Sequence, residues 1–120
     1  MADLAGDVSI VINNAGSVGR GRLLQADIDD IRTVFETNLF GAVRVARVFA
    51  PALARNGGSV VRHPLDADLD RRRRCLRRVD GSLWSAINSL RLELAPQGTL
   101  VVGMHVGYAD TDLTAAVTAP

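Results

Sequence analysis

Val8-Ser9-Ile10-Val11-Ile12 runs directly into Asn13-Asn14-Ala15-Gly16. Four of the first five residues are β-branched and apolar, a composition that favours a pleated strand over a helix. The apolar residues are nearly continuous rather than alternating, which predicts a strand buried on both faces, as in parallel sheets covered by helices. Asn and Gly then stop it. Small and amide residues at the carboxyl end of such a strand sit where open α/β sheets bind ligands. An ordinary Asn/Gly turn has the same composition. The tetrapeptide alone does not choose between the two.

Working outward, Gly16 to Gln25 is glycine-rich and reads as loop. Asp27 is a predicted N-cap with Asp30 as its capping-box partner, and Ile28, Ile31, Val34 and Phe35 follow at helical spacing. A second helix is predicted over 38–55, with Val43, Ala46, Phe49, Ala50 and Leu53 on one face. Pro51 should kink it and Asn56-Gly57-Gly58 should end it. Ser59-Val60-Val61 starts a second strand. From Arg62 to Arg78 there is no period of two or of 3.6. Regularity returns at Ser82, where Leu83, Ala86, Ile87, Leu90 and Leu94 form a stripe that stops at Pro96. Thr99 to Val106 is the third strand. The order strand-helix-helix-strand-helix-strand predicts βαβ units, hence an α/β fold with a parallel sheet.

Composition bounds the function. With 120 residues the chain is at most one small domain, and 48% hydrophobic with 22% charged residues is ordinary for a globular protein. No apolar run approaches the roughly 20 residues of a membrane helix. The first residues lack the basic and apolar regions of a secretory signal. The lone Cys75 has no internal disulfide partner, so a cytoplasmic location is expected. His63 and His105 are far apart and no cluster has metal-ligand spacing, so no metal is expected. The formal net charge of +1 hides a sharp step: from Arg62 to Asp80 there are seven Arg against four Asp. Arg71-Arg72-Arg73-Arg74-Cys75-Leu76-Arg77-Arg78 invites a nucleic-acid reading through phosphate neutralisation. Interrupting Asp residues, the lack of interleaved aromatics and the α/β surroundings argue against it.

A second motif gives the first its context. Glu36-Thr37-Asn38-Leu39-Phe40-Gly41 places Asn38 22 residues after Gly16. Alone, an Asn opening a helix is most simply a cap. Together, Asn13-Asn14-Ala15-Gly16 and Asn38-Leu39-Phe40-Gly41 resemble the corresponding segments of the short-chain dehydrogenase/reductase superfamily. In that superfamily the Asn holds a water of the proton relay and bends its helix locally. Leu83-Trp84 to Leu94-Ala95 resembles the helix that follows the family's catalytic residues. His105-Val106-Gly107-Tyr108-Ala109-Asp110-Thr111 resembles its post-strand Pro-Gly segment, with Val106 in the proline's place. The resemblance covers residues 4–61 and 82–114. It implies the later part of a Rossmann-like domain without the N-terminal nucleotide-binding half, NAD or NADP as cofactor, and a small alcohol or carbonyl as substrate. Asn38 is then the matching relay residue, and Asn13, Asn14, Ala15, Gly16, Gly107 and Thr111 are the cofactor-contacting positions.

The departures weigh against that activity. The chain has no lysine, its only tyrosine is Tyr108, and Asp112 stands four residues later. The family's Tyr-x-x-x-Lys should precede Leu83-Trp84; Leu76 and Asp80 occupy those places. No serine lies between Ser59 and Ser82 to serve as the family's catalytic Ser. Leucine passes no proton, and an aspartate would raise rather than lower a neighbouring acid's pKa. The Gly-rich pyrophosphate turn is also missing: Gly16-Ser17-Val18-Gly19-Arg20-Gly21 is one residue short of it and no helix follows closely. Residues 62–81 read as an aberrant Arg-rich insert, the kind of text a local reading-frame change in GC-rich coding DNA yields. The expectation is a catalytically inactive family member. Alternatives are a non-catalytic partner, pairing through its helices with an intact relative, and, less favoured, a basic nucleic-acid-binding segment. Without the family's first strand, Val8–Ile12 is expected to be an apolar sheet edge with no charge or proline, which predicts self-association.

Overall fold

The computed structural model describes residues 6–17, 23–62 and 74–104, with the backbone alone for 74–80. Three parallel strands form one sheet in the order β1 (Ile10–Asn13), β2 (Ser59–Arg62), β3 (Leu100–Gly103). Between β1 and β2 run α1 (Ile28–Phe35), a π-helical turn (Glu36–Phe40) and α2 (Gly41–Asn56). Between β2 and β3 run α3 (Arg74–Leu94) and a 3₁₀ turn (Ala95–Gln97). This is the partial Rossmann-like α/β arrangement that the pattern of strands and helices implied.

Local chemistry explains the boundaries. Asp27 caps α1, its Oδ1 accepting the Asp29 N–H at 2.8 Å, while Asp29 and Asp30 add negative charge to the first turn. The expected helix pair is joined without leaving right-handed helical backbone, because Glu36–Phe40 adopts the wider π spacing instead of breaking. Pro51 lies inside α2, which runs on to Asn56. Gly57 then turns left-handed at φ 61°, and the Gly58 N–H returns to Leu53 O at 2.9 Å. A side chain at Gly58 would collide with Ser9 O and come within 2.6 Å of Leu53 Cδ2, so the chain enters β2 only through glycine.

The core lies on one side of the sheet. Val11 and Val60 pack on Leu53 of α2, which is fully buried, with Val45 and Phe49 beside it. Val101 packs on Leu83, Ile87 and Leu94 of α3, with Ala42 closing the gap to α2. The register Ile10–Ser59–Leu100 and Ile12–Val61–Val102 sets the other face. There Ile10, Ile12 and Leu100 are 62%, 68% and 61% exposed. The two-sided apolar pattern of β1 is therefore not matched by burial on both faces, and its expected place at a sheet edge is observed. Among the described residues every helix contact is on the Val11 side, and β1 is an edge strand.

Regular structure also extends into 62–81 from both ends. Arg62 is the last residue of β2, and α3 begins at Arg74, well before Ser82. Arginine and leucine are good helix formers, and no Gly or Pro lies between Arg74 and Asp80. Propensity extends a helix where apolar periodicity gives no sign of one. Residues 63–73 lie outside the described residues, as do the side chains of the Arg71–Arg78 run.

Candidate functional site

The carboxyl ends of β1 and β2 meet the π turn, and the residues singled out in the sequence converge there. Asn13 is buried at the end of β1; Asn14 and Ala15 are exposed and Gly16 half-buried as the chain leaves the sheet. Asn38, 1% exposed, sits in the middle of the π turn. Its side-chain amide pairs with the backbone of Ser17 as a peptide group would: Oδ1 accepts the Ser17 N–H at 2.7 Å and Nδ2 donates to Ser17 O at 2.9 Å. The wider π spacing holds that amide beside the loop, which is why a buried Asn is tolerated inside a helix.

The centre of the site is a residue the sequence reading placed in the aberrant segment. Arg62 is 3% exposed and its guanidinium lies among the site residues. Nη1 donates to Asn13 O at 3.0 Å, Asn13 Oδ1 at 2.9 Å and Ala15 O at 2.8 Å; Nη2 donates to Asn38 O at 3.1 Å. Its own carbonyl accepts the Met104 N–H at 2.8 Å. Strand parity could have found it, because Val60 and Arg62 share the helix-covered face of β2. Ser17 was also missed. Its Oγ is shielded from solvent without a hydrogen-bond partner among the described residues.

Of the residues expected to contact a cofactor, Asn13, Asn14, Ala15 and Gly16 are brought next to Asn38, whereas Gly107 and Thr111 lie outside the described residues. Leu76 and Asp80 fall on α3, with their side chains outside the description. The described residues do not fit a dinucleotide. The first helix after the Asn13–Ser17 segment, α1, opens with Asp27, Asp29 and Asp30, which oppose a pyrophosphate where a phosphate site needs free N–H groups and a positive helix end. The carbonyls at the mouth already accept from Arg62. Beneath it, the space lined by Asn13, Val60, Arg62, Leu83 and Ile87 is a cavity of about 10 Å³, at the lower limit for one water. Among the described residues no group of His, Cys, Asp and Glu could hold a metal, and no helix is long and apolar enough to cross a membrane.

Comparison with known proteins bears on the same residues. The family model described as short chain dehydrogenase matches residues 1–63, which include β1, the Asn13–Gly16 turn and the π turn. A short-chain dehydrogenase from Penicillium roqueforti is 27% identical over 108 residues, 90% of this chain and 38% of that protein. The C-signal protein of Myxococcus xanthus is 30% identical over 115 residues, 90% of this chain and 69% of that protein. A short-chain dehydrogenase from Burkholderia cenocepacia, solved in complex with NADP, superposes with a TM-score of 0.85 at 31% identity, covering 99% of this chain and 52% of that one. The chain thus spans about two fifths to half the length of the two dehydrogenases. A family model covering more than half of the chain, a relative 30% identical over 69% of its length and a solved dehydrogenase superposing at a TM-score of 0.85 lead to one assignment: the chain belongs to the short-chain dehydrogenase family.

Proposed function

We infer that this chain is a member of the dehydrogenase family that performs no dehydrogenase turnover. The observation that carries the reading is the absence of lysine, together with a single tyrosine, Tyr108, that has Asp112 at the fourth position after it. Carbonyl reduction of the family's kind needs a group that delivers a proton to the substrate oxygen and a cation that keeps that group acidic. General acid–base groups contribute about 10²- to 10⁴-fold each. The occupied carbonyls of Asn13, Ala15 and Asn38 and the acidic start of α1 support the same reading, since they leave a nicotinamide dinucleotide little to bind. The test is turnover on simple alcohols and ketones with NAD and NADP, alongside calorimetric titration of each dinucleotide. No rate above background and no saturable heat are expected. Turnover that Asn38→Ala abolishes would defeat the reading.

A second reading, a non-catalytic partner, has its own support. Val48 on α2 and Leu92 on α3 are 54% and 79% exposed, so the helices present apolar side chains outward. One relative carries the name of a signal rather than of a dehydrogenase. Under this reading the chain pairs with itself or with an intact dehydrogenase through α2 and α3. Co-purification with a full-length family member, lost on Leu92→Glu, is the expected result; retention in that variant counts against the helices as the contact.

A further inference from the structure

Four oxygens from three separated segments converge on one small volume: Asn13 O, Asn13 Oδ1, Ala15 O and Asn38 O. All four are neutral acceptors, and acceptors crowded together in a dry place repel one another unless a donor lies between them. The complement of such a cage is a planar cation with several N–H groups in a fixed fork. We propose that the carboxyl ends of β1 and β2 form a guanidinium site filled by the chain's own Arg62, which acts as a positioning residue for the Asn13–Ser17 loop.

The geometry is specific to arginine. Nη1 has two protons and shares them among three oxygens at 2.8 to 3.0 Å, while Nη2 reaches across to the π turn at 3.1 Å. An ammonium has three donors at one point and cannot bridge β1 and the π turn together. The backbone fixes the base of the fork: Arg62 pairs in register with Asn13 on one side and Gly103 on the other. The tip then closes a circuit. Arg62 holds Asn38 by its carbonyl, and Asn38 holds Ser17 by its amide. With Arg62 in place, each of those four oxygens already accepts a hydrogen bond, which leaves at most one lone pair apiece for an incoming group. The chain itself fills the site, and this holds whether or not the chain turns over a substrate.

The test is amide hydrogen exchange by NMR on the full chain. Ser17 N–H reports the circuit, because its acceptor is Asn38 Oδ1. Gly58 N–H, bonded to Leu53 O, reports the fold at the other end of β2. In Arg62→Ala, exchange at Ser17 is expected to accelerate about tenfold or more while Gly58 is unchanged. Millimolar guanidinium chloride should restore Ser17 protection, and an equal concentration of ammonium chloride should not. Arg62→Lys, which keeps the charge, should lose protection at Ser17 with Gly58 retained. It still decides the matter if the alanine variant loses protection everywhere. Undiminished Ser17 protection in either variant overturns the proposal, as does failure of guanidinium to rescue a folded Arg62→Ala.

Discussion

Replacing Asn38 tests the site where it is most completely specified. Its amide makes two bonds to the Ser17 backbone, at 2.7 and 2.9 Å, from a position 1% exposed. Each is worth about 1 kcal/mol net, so Asn38→Ala forfeits about 2 kcal/mol. The amide's removal leaves a void of roughly 30 Å³, which at about 24 cal/mol per Å³ adds about 0.7 kcal/mol. Alanine regains roughly 0.6 kcal/mol as the better helix former. Ser17 is half-buried, so water reaches its freed N–H and carbonyl and limits the further penalty. The sum is about 2 kcal/mol. With a urea m-value of roughly 2 kcal/mol/M, the unfolding midpoint should fall by about 1 M. Asn38→Leu separates the causes, because leucine fills the volume and makes neither bond. If the bonds matter most, leucine is as damaging as alanine. A leucine variant within about 0.2 M of the parent midpoint would show that packing, not pairing with Ser17, holds the π turn.

Three further outcomes follow from the packing. Gly58→Ala drives a methyl group into Ser9 O and Leu53 Cδ2 and should cost about 1–3 kcal/mol, read as a lowered thermal midpoint; an unchanged midpoint would mean the β2 entry is loose. Arg91→Ala removes the Nε bond to Val101 O at 3.0 Å and the guanidinium 5.5 Å from the Trp84 ring centre, for about 1–2 kcal/mol in urea unfolding; no loss would assign the pair to solvent. Ile12→Lys places a charge on the uncovered sheet face, where Ile12 is 68% exposed. Stability should change by less than about 0.5 kcal/mol. The uncovered face predicts that the parent chain self-associates; in sedimentation the weight-average mass of the variant should then fall toward that of a monomer, and equal masses for parent and variant would clear this face.

The strands were legible because β-branched runs bounded by Asn and Gly have few other uses, and the stripe ending at Leu94 was legible because its period is clean. The π turn was not, since inserting one residue into a helix leaves the apolar pattern almost intact; only Asn38, a polar residue now 1% exposed, marked it. The start of α3 was hidden because arginines favour a helix without creating a face. Arg62 was hidden for a different reason. Grouped with the arginines that follow, it looked like part of a charged run, but it ends a strand, and strand parity turns it toward the helices. Charge invites a surface reading; position in the pleat decides it.

The exposed sheet face and the buried arginine point in opposite directions. Ile10, Ile12 and Leu100 are residue types chosen for burial on a face that no described residue covers, so the strands carry the pattern of a sheet with helices on both sides. That pattern agrees with relatives about twice the chain's length. Arg62 shows the contrary tendency. At the carboxyl ends of β1 and β2, Arg62 satisfies four acceptors of Asn13, Ala15 and Asn38, while Ser17 Oγ has no hydrogen-bond partner among the described residues. Left alone, those four acceptors would need water or a ligand. Here they are paired, and the pairing ties the two motifs that place the chain in the family, Asn13–Gly16 and Asn38–Gly41, to each other. Arg62 occupies acceptors at the carboxyl ends of β1 and β2, while among the described residues nothing covers Ile10, Ile12 and Leu100, so the uncovered sheet face is where this chain should meet a second surface.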